Sequence, residues 1–204
     1  MDTLLSFIFA SALLAISPGP DNIFVLIQSI SNGVKYGLAT VFGLISGCIV
    51  HTTLVAFGVS AIIKENEQLL LMLKIFGASY LVFLAYKVYR SPSQIDLTAN
   101  KKLQKSKNQL FKQGFIMNVL NPKVSIFFLA FFPAFLFSET LNTVTQFFIL
   151  GFVFMTVSLI IFSLIAILSG QIAEYLKGNK NMGPYLKWLQ IFVFIGISGF
   201  ILFA

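Results

Sequence analysis

The sequence predicts an all-α integral membrane protein of six transmembrane helices, built as a 3+3 inverted-topology repeat with helices 1 and 4 broken. Three observations predict it: the apolar content, the length of the apolar windows, and two proline-bearing interruptions at matching places in the two halves. Of 204 residues, 57% are hydrophobic and only 10% are charged, against roughly 25% charged in soluble domains. The mean hydropathy is +0.90. A soluble domain of this size cannot hide so much apolar surface, and 24 phenylalanines add to the excess. The windows run to about 20 residues or more, which suits helices rather than the alternating segments of a β-barrel.

Six apolar segments are read, at about 3–31, 37–63, 68–90, 113–137, 142–172 and 184–204. They form one transmembrane domain over 1–204, with a first repeat at about 1–90 and a second at about 113–204. Between them, 91–112 reads as a basic cytoplasmic loop carrying Lys101, Lys102, Lys105, Lys107 and Lys112 against Asp96 alone. Residues 1–16 read as the first half of a span rather than a cleaved leader. They have no basic n-region, and Pro-Gly-Pro-Asp is a poor cleavage site.

The loop sets the orientation. With it inside, Lys35, the cluster from Lys87 to Lys112, Lys177, Lys180 and Lys187 all fall on the inner side. The outer side keeps Asp2, Glu65, Glu67 and Glu139, with Lys64 and Lys74. This is the positive-inside pattern, and it places both termini outside the cytoplasm. It also accounts for the formal charge of +7 without a nucleic-acid partner.

The first segment is interrupted by SPGPDN (Ser17 to Asn22) and the fourth by NVLNPK (Asn118 to Lys123), about 100 residues apart. Each break opens a three-span unit, so the second unit enters the membrane from the opposite face. Paired interruptions of this kind point to a binding site. Pro18 and Pro20 remove backbone donors and open the helix. Such breaks persist in a membrane only where protein or a wet cavity satisfies the freed groups. Asp21 or Asn22 is expected to cap the helix that restarts after the first break. Asn121 is expected to cap the next one, with Pro122 at its first position. Each restart leaves free N–H groups and a positive dipole end, which suits a carboxylate.

Asp21 and Lys123 are the charged residues embedded in apolar sequence, one per break and of opposite sign. A charge there costs at least about 2.5–3.5 kcal/mol on insertion scales, so it has a partner or a task. Two readings stand. One is a salt bridge with two helix caps locking the halves together. The other is a zwitterion site, with Asp21 meeting an ammonium while Lys123 and the helix N-termini meet a carboxylate. His51, beside Thr52 and Thr53, is either a satisfied packing residue or a proton carrier. One His and one Cys (Cys48) cannot make a His/Cys metal site or a CxxC pair, and no metal site is assigned. An oxygen-rich cation site from Asp21, Asn22, Asn118 and Asn121 stands as the rival, for a divalent-cation exporter. No phosphate loop is present. No cofactor is expected, and no reactive set for an enzyme is found.

The remaining marks are structural. Gly43-Leu-Ile-Ser-Gly47 reads as a close helix-packing face, and Gly33 with Gly37 as a short inner turn. FFLAFFPAF reads as lipid-facing and core surface, with Pro133 kinking the outer half of the fourth segment.

SPGPDNIFVLIQSISNGVKYGLATVFGLISGCIVHTTLVAFG resembles the opening of the LysE/RhtB family of amino-acid exporters, the LysE-type translocators. LKIFGASYLVFLAYKVYR, FIMNVLNPKVSIFFLAFFPAF and WLQIFVFIGISGFILF resemble its later spans, so the likeness covers nearly the whole chain. The resemblance implies secondary-active export of amino acids or their derivatives across the bacterial inner membrane, by proton antiport and alternating access, in a protein that is not an enzyme. Homodimers are common in such proteins. By position, Pro18, Gly19, Pro20 and Asp21 match the family's first motif and Asn121, Pro122 and Lys123 its second; His51 falls where the second span often has His. The substrate- or coupling-site residues implied are these, with Asn22 and Asn118.

Overall fold

The computed structural model describes residues 2–65, 67–93, 105–179 and 181–203. They form helices α1 (Asp2–Ile16), α2 (Pro20–Asn32), α3 (Val34–Leu54), α4 (Ser60–Glu65), α5 (Glu67–Arg90), α6 (Lys107–Val119), α7 (Pro122–Ile126), α8 (Thr143–Ile167), α9 (Ser169–Gly178) and α10 (Met182–Phe203). No strand occurs among the described residues. Four unbroken stretches are long and apolar enough to cross a membrane: Val34–Ile62, Gln68–Arg90, Thr143–Ile167 and Met182–Phe203. Two bent pairs add to them, α1 with α2 at 59° and Lys107–Val119 with Pro122–Phe135 at 48°, making six spans if each pair is one. The protein is an all-α, multi-pass membrane protein whose first and fourth segments are broken as the sequence predicts.

Exposed side chains suit that solvent. Phe9, Phe152, Phe192 and Phe203 stand outward on the spans. Tyr86, Tyr89, Tyr185 and Trp188 are exposed where α5 ends and α10 begins, beside Arg90 and Lys187. Amphipathic rings with basic residues mark a membrane–water boundary.

The glycine pair of α3 forms the tightest helix contact. A Cβ on Gly43 would run into the Phe111 backbone of α6, and one on Gly114 would run into Thr40. A Cβ on Gly47 would come within 2.7 Å of Asn118 Oδ1. From Gly43 to Gly47 along α3 the facing residues on α6 move from Phe111 and Phe115 to Asn118, so the two helices run parallel. Gly33 makes the α2–α3 turn with φ of 98°, while Gly37 instead packs against the Ser29 side chain inside the helix pair.

Several expectations are corrected. Phe127, Phe128, Phe131, Phe132 and Phe135 are not lipid-facing; all are buried, packed around Phe7 and Phe154. An all-apolar run carries no contrast from which its buried side can be read. The outer half of the fourth segment is not a kinked α-helix. It passes through a π-helical turn at Phe127–Phe131 into a 3₁₀ turn at Phe132–Phe135, and Pro133 lacks the N–H an α-helix would use. A second π turn, Val55–Val59, follows α3 and packs against the first.

The fifth segment ends at Ile167, and α9 follows as a separate helix. Helix α6 begins at Lys107, inside the stretch read as a loop, because Ser106 and Gln109 close a reciprocal capping box. The rest of that loop, with Asp96, Lys101 and Lys102, lies outside the described residues, as does Lys180.

The α3–α6 contact yields a test. Gly43→Ala forces backbone apart and should cost about 1–3 kcal/mol, lowering the melting temperature in detergent. Gly196→Ala, where an added Cβ meets nothing within 4 Å, should leave it unchanged or slightly raised.

Candidate functional site

The site is best read from what the prolines take away. Pro18 has no N–H to offer the carbonyl of Leu14, four residues earlier. The structure fills that place with Lys123, whose Nζ donates to the carbonyls of Leu14 (3.4 Å) and Ser17 (3.2 Å). The next carbonyl freed by the break, that of Ala15, accepts from Asn22 Nδ2 at 2.7 Å. Pro122 in turn withholds an N–H from the carbonyl of Asn118, and His51 Nε2 sits 3.1 Å from that oxygen. Since a carbonyl only accepts, His51 Nε2 carries the proton. Lys123 and His51 thus each reach across to backbone opened in the other half, while Asn22 serves Ala15 and the Asn121 N–H, at 3.0 Å, shares the Asn118 carbonyl from within their own halves.

A third link joins the breaks directly. Asn121 Nδ2 donates to Asp21 Oδ2 at 2.8 Å, while Asn121 Oδ1 accepts from the Lys123 backbone N–H at 3.0 Å as the cap of α7. Asn121 and Pro122 stand as the sequence predicts. The cap of α2 does not: Gly19 is its N-cap with no side-chain bond, and Asp21 and Asn22 lie inside the first turn. Their side chains are committed across the junction instead. The salt bridge also fails to form. Among the described residues no N···O contact within 4.0 Å joins Asp21 and Lys123. The Lys123 ammonium lies over the Phe194 ring at 5.4 Å.

Asp21, Asn22, Asn118 and Lys123 line one cavity of about 20 Å³, together with Cys48, Phe154, Ser158 and Phe162. That holds about one water, which needs roughly 10–15 Å³, and falls far short of the roughly 300–1,000 Å³ of small-molecule sites. Its walls carry three polar atoms with no hydrogen-bond partner: Asp21 Oδ1, Asn118 Oδ1 and Ser158 Oγ. Buried polar atoms are nearly always paired, so three unpaired oxygens around one space make it the candidate site.

Other predicted residues lie apart from this cavity. His51 is 4% exposed and stacks near Phe128, with ring centroids 5.4 Å apart, behind Asn118. Pro18, Gly19 and Pro20 line a different cavity, of about 300 Å³, with Ser91, Lys187 and Gln190. The break is therefore a partition. A Cβ on Gly19 would lie 3.6 Å from Lys123 Nζ. Ser158, Phe154 and Phe162 were not foreseen; their four-residue spacing on one face of α8 was the available signal. Among the described residues no three His, Cys, Asp or Glu side chains gather as for a metal.

Two broken helices meeting at a polar junction inside a helical membrane bundle is the arrangement that forms binding sites in membrane transporters. The comparisons specify which kind. The family model for the LysE type translocator matches residues 12–203, and the chain belongs to that family. It is 31% identical over 192 residues to the homoserine/homoserine lactone efflux protein of Salmonella typhimurium, covering 94% of this chain and 92% of that protein. The protein of the same description from Salmonella typhi is also 31% identical over the same shares. An uncharacterized membrane protein of Vibrio cholerae is 28% identical over 182 residues, 87% of this chain and 86% of that one. No solved structure matches.

The Asn118 carbonyl also accepts from the Asn121 N–H at 3.0 Å, so His51→Ala, which removes one of its two donors, should destabilise the protein by only about 0.5–1.5 kcal/mol. His51→Gln, which keeps a donor, should recover most of the loss in the same thermal melt.

Proposed function

We propose that this protein exports a small amino acid of the homoserine type across the bacterial inner membrane, exchanging it for protons. The observation that carries the reading is that the two interior charges are not spent on each other. Asp21 is bound by a neutral amide and keeps Oδ1 free, while Lys123 is bound by carbonyls. A zwitterion between them meets a carboxylate for its ammonium and an ammonium for its carboxylate. The first-turn N–H groups of α2 add to the second contact. The relatives named for homoserine efflux support this substrate class.

The size of the cavity supports alternating access. A cavity of about 20 Å³ cannot admit an amino acid, so the two halves of a 3+3 inverted repeat must part on one side and then on the other. Proton coupling places the exchange at Asp21: the carboxylate takes a proton as the substrate's ammonium leaves and gives it up as the next arrives. Basic residues at the loop end and along α6 and α9 support an inner side there and both termini outside.

Cells loaded with labelled homoserine test the site. Asp21→Asn should slow initial efflux by roughly tenfold or more at equal membrane abundance; wild-type efflux from this variant would refute the zwitterion site. Collapsing the pH gradient with membrane potential held constant should stop efflux of the wild-type protein. Continued efflux would exclude proton antiport and leave the substrate assignment standing.

A further inference from the structure

We infer that Ser158, flanked by Phe154 and Phe162 on the same face of α8, reads the side chain of the substrate and selects one bearing a hydroxyl. The inference rests on the cavity being the amino-acid site. Ser158 is 1% exposed, its hydroxyl has no hydrogen-bond partner, and it lines the cavity shared by Asp21 and Asn118. A hydroxyl in an apolar helix ordinarily folds back onto the carbonyl four residues earlier. Thr156 does so on this same helix, onto Phe152 at 2.8 Å. Thr52 and Ser29 do so nearby, at 2.9 and 2.8 Å. Ser158 does not. Three other serines are similarly orphaned, Ser11, Ser17 and Ser60, but none of them lines this cavity.

The cavity's polar groups divide by chemistry. Asp21 Oδ1 and Asn118 Oδ1 only accept, which suits an ammonium. Lys123 only donates, which suits a carboxylate. Ser158 is the uncharged group that does both, so it pairs with a substrate hydroxyl in either sense. Phe154 and Phe162, one turn to each side, offer apolar walls to the methylenes between the α-carbon and that hydroxyl. A site that keeps a buried hydroxyl for the substrate rejects an apolar isostere, because the hydroxyl then stays unpaired.

Homoserine and norvaline form the test pair, since they differ by an OH in place of a terminal methyl. The measurement is their efflux ratio in competition from co-loaded proteoliposomes, with protein amount matched. The wild-type ratio should favour homoserine by roughly tenfold or more. Ser158→Ala should bring it near unity through a raised KM for homoserine, while Ser158→Thr should keep the preference. An unchanged ratio in Ser158→Ala would overturn the inference. So would equal loss of both substrates, which is the mark of a packing role. If the wild-type protein exports norvaline as well as homoserine, hydroxyl selection is wrong while amino-acid export stands. If it exports neither, and Asp21→Asn changes the efflux of no amino acid, the functional reading fails as well.

Discussion

In hydrocarbon every backbone carbonyl needs a donor from within the protein, and the rest of this structure depends on how two such carbonyls are served. The prolines at 18 and 122 open the helices at Leu14 and Asn118. Lys123 and His51 bring donors to them, each from the opposite half of the chain, and the Asn118 carbonyl accepts from the Asn121 N–H as well. The exchange is reciprocal. Local donors help at each break, Asn22 at Ala15 and the Asn121 N–H at Asn118, and the Asn121–Asp21 bond ties the junction at its centre. The parallel α3–α6 contact, with backbones in contact at Gly43 and Gly114, holds His51 and Asn118 at the distance this requires.

The same arrangement explains why the site is at once charged and closed. Lys123 donates its hydrogen bonds to carbonyls rather than to Asp21, so the two side chains form no direct ion pair. Three oxygen atoms, Asp21 Oδ1, Asn118 Oδ1 and Ser158 Oγ, remain unpaired around a space of about 20 Å³. A second cavity, fifteen times larger, ends on the other face of the Pro18–Gly19–Pro20 segment. In the proposed alternating access, joining the two cavities would mean moving that segment, with Lys123 and Asn22 releasing the carbonyls of Leu14 and Ala15. In the proposed cycle a substrate carboxylate would offer Lys123 a replacement acceptor, coupling opening to binding.

The spans, both breaks and the Asn121–Pro122 cap were legible because they depend on local composition and on proline chemistry. The GxxxG face was legible too, though not its partner helix. The choice of partners at the junction was not. Opposite charges at corresponding breaks suggest a salt bridge, but the letters do not show which freed carbonyls compete for the lysine. Gly19 rather than Asp21 or Asn22 ends up as the N-cap for the same reason: both side chains have stronger obligations across the break. The burial of Phe127 to Phe135 was hidden by uniform apolarity. Ser158 looks like any serine in an apolar helix until its hydroxyl is seen not to fold back.

Cys48 provides the most direct test of the central claim, that the junction of the two breaks is where substrate binds. It is the chain's single cysteine, it is 1% exposed, and it lines the small cavity beside Asp21 and Asn118. The measurement is the rate at which N-ethylmaleimide labels Cys48 in membranes, with and without saturating homoserine. The account predicts that substrate slows labelling and that labelled protein no longer exports. Equal labelling rates in both conditions, with efflux intact after labelling, would contradict it.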